Sequence, residues 1–206
     1  LLAGGRALEG RLENAGEERP MAGMPWWKKL RRIGAVWLWG LAVILCGTNA
    51  LPAAGLEVGA RGGASFNDDH ESFTLYEAYA NQPLPWRWRW GGAVDVETRL
   101  TGSLGVLHGG DETGGLGTMG FGFVFGRDNA PFELLAGSAF TLLAGGHVYG
   151  GEDLGGVVQF THHIGAAFRF YDNWSAVLQV QHMSNGYLYD ENPGINFITF
   201  GLRYRF

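Results

Sequence analysis

The sequence is poor in the features that hold most soluble domains together. It contains one cysteine, Cys46, which excludes a disulfide framework and any cysteine-based metal site. Charged residues make up only 17%, against about 25% in soluble domains. Positive charge is not in excess: the formal net charge is −5, and no basic stripe is interleaved with aromatics, which argues against a nucleic-acid partner. The second half of the chain has no apolar run near the roughly 20 residues of a membrane helix. What it has instead is glycine, 35 residues of it, and 14% aromatics. In a chain of one-domain length this composition points to many short strands.

The first quarter reads as an address. From Met24, the cations Lys28, Lys29, Arg31 and Arg32 precede an apolar stretch, Ile33 to Cys46, of about 14 residues, within the usual secretory range of about 7–15. Ala50, Ala53, Ala54 and Gly55 follow as small residues suited to cleavage. Residues 24–54 are therefore expected to be a signal peptide, and 1–23 upstream sequence outside the fold. An uncleaved anchor and a lipid-modified Cys46 are the alternatives; Leu45 stands where a lipoprotein signal needs a small residue.

From Gly55 the pattern has a period of two, the mark of strands. The longest alternating segment puts Trp86, Trp88, Trp90, Val94, Val96, Leu100, Leu104 and Val106 on one face and Arg87, Arg89, Asp95, Glu97, Arg99, Thr101 and Ser103 on the other. A soluble sandwich would turn the apolar face inward. A small membrane barrel turns it outward to lipid and keeps charge inside. The alternation predicts eight strands at 55–66, 73–82, 86–107, 116–126, 132–144, 157–170, 174–184 and 196–206. Short turns are expected at 82–85, 127–131 and 171–173, and longer loops at 108–115, 145–156 and 185–195. Short periplasmic turns, longer outer loops and an even strand number suit an all-β, eight-stranded antiparallel transmembrane barrel over 55–206. Trp86, Trp88, Trp174 and Tyr204 fall where an interfacial girdle belongs. Asp95, Glu97 and Arg99 are expected to form an ion network in the lumen, which side chains fill in a barrel of this size.

One constellation carries chemistry. In the segment 174–184, His182 and Ser184 continue the apolar row of Trp174, Ala176, Leu178 and Val180. Counting back along the last strand from Phe206 places Asn196 on the same outward face. Polar groups facing lipid are costly unless paired or functional. Histidine suits a general base near neutral pH, serine becomes a nucleophile when such a base takes its proton, and a third group must fix the ring. Asn196 fits that third role through its oxygen; Glu191 or Asp190 in the preceding loop would supply the charge that asparagine lacks.

His182-Met-Ser184-Asn185-Gly186, followed by Asn192-Pro193-Gly194-Ile195-Asn196 and an aromatic C-terminus, resembles the lipid A 3-O-deacylase family. Weaker likeness runs back through Arg99-Leu-Thr-Gly102. The resemblance implies an eight-stranded outer-membrane barrel that hydrolyses the ester at the lipid A 3-position and releases a 3-hydroxy fatty acid. It places the nucleophile on Ser184, the base on His182, and oxyanion stabilisation on Asn185, with the backbone around Gly186 as a further donor. The family's best-known member has a glutamate where this chain has Asn196.

No cofactor or metal is called for. His162 and His163 are adjacent on one strand and point to opposite faces; His70, His108 and His147 belong to outer loops or strand ends. Gly114-Gly115-Leu-Gly117 lacks the lysine and helix of a phosphate loop. The partners expected are lipid A and the bilayer. A homodimer is compatible with the sequence, which fixes no oligomeric state. Two other functions fit the same barrel: a non-catalytic structural protein, and a phospholipase or general esterase.

Overall fold

The computed structural model describes residues 55–66, 71–91, 94–127 and 130–206. The expected signal peptide, the upstream segment and His70 lie outside the described residues. Among the described residues ten strands follow in order: β1 (Glu57–Ser65), β2 (Phe73–Trp90), β3 (Val94–Gly109), β4 (Glu112–Gly126), β5 (Phe132–Ala144), β6 (Val148–Tyr149), β7 (Glu152–Asp153), β8 (Val158–Tyr171), β9 (Trp174–Ser184) and β10 (Ile195–Arg205). Eight of them close antiparallel into a barrel, in the order β1-β10-β9-β8-β5-β4-β3-β2. The seam is a continuous ladder from Glu57↔Arg205 to Ser65↔Phe197. Closure leaves no free edge. The short β6–β7 hairpin belongs to the outer loop between β5 and β8.

Three sequence expectations need correction. The segment 86–107 is not one strand. Residues 86–90 finish β2, and the chain reverses after Gly91, whose φ of 57° suits a turn. Pro83 and Pro85, read as a turn, instead sit in a bulge of β2, where the pairing passes from Pro83↔Arg99 to Arg87↔Glu97. A bulge interrupts the ladder, so the missing proline N–H does little harm. The bulge also keeps both faces in register: Arg87 and Arg89 pair opposite Glu97 and Asp95, while Trp86, Trp88 and Trp90 remain exposed on the outside. The expected loop at 108–115 is a tight hairpin, with β3 running to Gly109 and β4 starting at Glu112.

The wall has the polarity of a membrane barrel. Leu104, Met119, Leu134, Leu142, Ile164, Leu178, Val180, Ile198 and Phe200 are exposed on the outside. Near the end that holds both termini of the barrel, rings pack against each other: Trp174 on Tyr204, Tyr204 on Phe206, Phe132 on Phe168 and Trp88 on Phe123. This is the girdle that amphipathic rings form at an interface.

The lumen is layered. Towards the terminus-bearing end, Glu57, Glu97 and Glu133 meet Arg99, Arg203 and Arg205. Glu57 is fully buried and pairs with Arg99, with Arg203 at 3.2 Å and with Arg205 at 2.7 Å. Glu133 binds Arg203 at 2.6 Å and Arg205 at 2.9 Å, and Glu97 binds Arg99 at 2.8 Å. Three acids thus balance three cations, as burial of charge requires. Above them Arg61 joins Glu77 at 2.7 Å and Gln179 at 2.8 Å. The far end is not polar. Phe73, Leu75, Leu107, Leu116, Leu143, Tyr149, Leu154, Met183, Ile195 and Phe197 form an apolar plug under the outer loops. The plug includes the last inward side chain of β9 and the first of β10, so it fixes the strand ends that carry the polar outer wall.

Candidate active site on the outer wall

On β9 the inward residues Ser175, Val177, Gln179, Gln181 and Met183 are buried, and the alternate residues face out. His182 lies exposed and Ser184 half-buried on that outward face. On β10 the same alternation turns Asn196 outward, opposite His182 in the ladder. The pairing brings the His182 Nδ1 to 2.8 Å from the Asn196 Oδ1. A carboxamide oxygen only accepts, so Nδ1 carries the proton and donates it. In the neutral ring this leaves Nε2 with its lone pair, the tautomer a general base needs.

Ser184 stands two residues further along the same face, about 7 Å from His182 between Cα atoms. It makes no hydrogen bond to the ring in this structure; such bonds are often long in the absence of substrate. Ser184 pairs with Phe160 of β8. Phe160 occupies an outward position yet is buried, packing edge-on against Phe140 and lying under Gly186. It gives the serine an apolar floor. Sequence reasoning passed over Phe160, although its parity with His162 on the same strand placed it on this wall.

The loop 185–194 is shaped around the pair. Gly194 has a φ of 66°, and a Cβ there would lie 3.1 Å from His182 Cε1. Glycine is needed here both for the backbone and for the approach to the ring. Gly186 and Tyr187 also take left-handed conformations, with φ of 61° each.

Asn185 does not present a donor to the site. Its side chain is fully buried, and its Nδ2 donates to Leu154 O at 2.9 Å and Glu191 O at 2.5 Å. Its backbone N–H donates to Asn192 Oδ1 at 3.0 Å. With both amide hydrogens and the backbone hydrogen engaged, Asn185 is a clasp between the loops 145–157 and 185–194. Direct oxyanion stabilisation by Asn185, which the resemblance implies, would require one of these hydrogens to leave its present partner. Gln159 reinforces the clasp by donating to Leu154 O at 3.0 Å and Gly156 O at 2.7 Å. Asn192, which sequence reasoning used only within the Asn-Pro-Gly match, is left with its carboxamide oxygen held and its NH2 available. Gly186 is exposed beside Ser184.

The loop carboxylates stand apart. Asp190 and Glu191 are exposed, and only the backbone carbonyl of Glu191 takes part in the clasp. The ring partner of His182 is therefore Asn196. In the β6–β7 hairpin, the Gly155 N–H and then His147 hold the Asp153 carboxyl below its ordinary pKa. His108 pairs with Thr113 at 2.9 Å. His163 points inward against the space left by Gly137, whereas His162 points outward.

Known proteins resemble this chain both in sequence and in fold. The model of the family described as lipid A 3-O-deacylase (PagL) matches residues 74–205. Among solved structures, that described as the crystal structure of the outer membrane enzyme PagL matches with a TM-score of 0.63 at 21% identity, over 73% of this chain and 99% of that one. Neisserial surface protein A matches with a TM-score of 0.46 at 11% identity, over 75% of this chain and 98% of that one. No curated protein sequence matches.

Proposed function

The chain belongs to the lipid A 3-O-deacylase (PagL) family, and on that premise we propose that it is an outer-membrane esterase that removes the 3-hydroxyacyl chain at the lipid A 3-position. Ser184 is the nucleophile and His182 the base. The observation that carries this reading is the His182–Asn196 hydrogen bond on a predominantly apolar outer wall. A base with a fixed tautomer on the lipid side of a barrel has no structural task there, and lipid is the substrate it can reach.

The chemistry follows from the tautomer. Nε2 of His182 accepts the Ser184 proton as Oγ attacks the ester carbonyl, and returns it to the departing sugar oxygen. Asn196 holds the ring throughout but adds no full charge to stabilise the imidazolium. We assign the oxyanion's hydrogen bonds to the Gly186 N–H, two residues beyond Ser184 in the chain, and to the NH2 of Asn192, whose carboxamide oxygen accepts from the Asn185 N–H. Each such donor is worth about 2.7–4 kcal/mol when aimed at the transition state. Water then frees the acyl chain from the serine. The site lies at the outer end of β9, a placement supported by the long loops 145–157 and 185–194 at this end and the barrel termini at the opposite one. It thus meets the outer leaflet.

The purified barrel in detergent micelles, given lipid A and phospholipid together, tests the assignment. Release of a 3-hydroxy fatty acid from lipid A alone supports it. Release of phospholipid acyl chains would make the protein a phospholipase, and no release from either would leave a structural barrel.

A further inference from the structure

One residue close to the serine is held in a conformation that its side chain disfavours. Tyr187 has a φ of 61°, as has Gly186 before it. The Leu188 N–H donates to Asn185 O at 3.2 Å and closes the turn around them. Two left-handed residues at the centre of such a turn suit glycine, asparagine or aspartate. Gly186 conforms and Tyr187 does not. Among the described residues the other non-glycine with a positive φ is Asp172, of a type that tolerates this region; a bulky ring does not.

The rest of the turn has clear structural tasks. Asn185, its first residue, is fully buried in the clasp. Gly186 lies over Phe160, with a Cβ position 3.4 Å from the ring, and Phe160 stands opposite Ser184 in the ladder. Two residues on, Tyr189 lies against Gly156, where a Cβ would run into its ring, and so joins the two loops. Tyr187 is left 73% exposed at the tip. Among the described residues of the loop 185–194 it is the one fully exposed aromatic. A membrane-surface anchor would need the ring alone. Here the backbone is also strained to present it, as happens where a side chain meets a ligand.

The position of the ester says what that ligand is. Ser184 is the last residue of β9, with the apolar wall on one side of it and the turn on the other. An acyl tail belongs on the wall. The alcohol part of the ester then lies on the side of the turn. In the substrate proposed above that alcohol is a sugar, joined to the carbonyl carbon through the departing oxygen. A sugar ring carries C–H groups on its faces, and the negative face of an aromatic ring attracts such hydrogens. The tyrosine hydroxyl can stay in water while the ring is covered.

We propose that Tyr187 is a specificity residue whose ring stacks on the sugar that bears the scissile ester, and that it selects sugar-borne esters over simple alkyl ones. This rests on the deacylase reading and names the part of the substrate recognised on the loop side. Tyr187 moves no proton. The stack forms with the bound substrate and persists in the transition state, so it acts on KM more than on kcat.

The test uses the full-length barrel refolded in micelles with two substrates: lipid A, and vinyl 3-hydroxytetradecanoate, an activated ester whose leaving group has no ring. On lipid A, Y187A and Y187L lose about tenfold in kcat/KM, mainly through KM, while Y187W and Y187F stay near wild type. On the vinyl ester all four match wild type. Y187N suits the left-handed backbone; it melts no lower than wild type yet loses as much on lipid A as Y187A, which separates the ring from the turn. Wild-type activity of Y187L on lipid A would reduce the ring to apolar bulk. Equal loss on both substrates would make Tyr187 a scaffold or anchoring residue. Either result overturns the proposal while the deacylase reading stands. If wild type cleaves the vinyl ester but not lipid A, or cleaves neither, both fall.

Discussion

Replacing Asn196 probes the polar pair without touching either reacting group. Its Oδ1 accepts the Nδ1 proton of His182 at 2.8 Å, between two neutral partners at a half-exposed site. A neutral hydrogen bond of this kind contributes about 0.5–1.5 kcal/mol net. At about 1.36 kcal/mol per tenfold, Asn196→Ala should lower kcat about 2- to 13-fold. Asn196→Asp keeps the oxygen in place and adds charge. Charge-assisted bonds are about twice as strong, and the carboxylate stabilises the imidazolium that forms as Ser184 attacks. The Asp variant should therefore be faster than wild type, by about fivefold if the gain is near 1 kcal/mol. The assay is the initial rate of fatty-acid release from lipid A in micelles, with thermal melts by circular dichroism confirming that each barrel is intact. Wild-type rates in N196A, or a slower N196D with an unchanged melt, would refute the orienting role.

Other perturbations separate scaffold from chemistry. Asn185→Ala removes the hydrogen bonds to Leu154 O, which Gln159 still serves, and to Glu191 O, and should loosen the clasp by about 0.5–1.5 kcal/mol per lost bond; limited proteolysis should then cut within 185–194 while the barrel melts normally. Gly194→Ala should cut activity severely through the forced left-handed backbone and the 3.1 Å approach to His182, with little change in folding yield. Glu57→Gln removes the charge that three arginines share, and should destabilise the barrel by about 3–5 kcal/mol, read as a lower denaturant midpoint in micelle refolding.

Strands 132–144 and 174–184 were legible to the residue, because unbroken alternation and clear turn residues bound them. The Pro83–Pro85 segment was not: proline punctuates a sequence in the same way whether it makes a turn or sits in a bulge. The real reversal at Gly91 was hidden by the alternation that continues on both sides of it. Glycine and acidic residues made 108–115 look like a loop, although β3 and β4 extend beyond the apolar band. Parity survived these errors, since the bulge preserves the faces. That is why the placement of His182, Ser184 and Asn196 on one face could be read from sequence. The burial of Asn185 could not, because its partners are backbone carbonyls of Leu154 and Glu191, supplied by two loops whose shapes no local pattern encodes. The apolar plug was missed for a related reason: it forms only when inward residues of several strands meet under those loops.

The most direct test of the central claim is the mass profile of lipid A from cells making the wild-type protein or its Ser184→Ala variant, with matched amounts of folded barrel in the membrane. The account predicts a lipid A species lighter by one 3-hydroxyacyl chain with wild type and the unmodified mass with S184A. An unmodified profile with wild type, or the lighter species with both proteins, would contradict it.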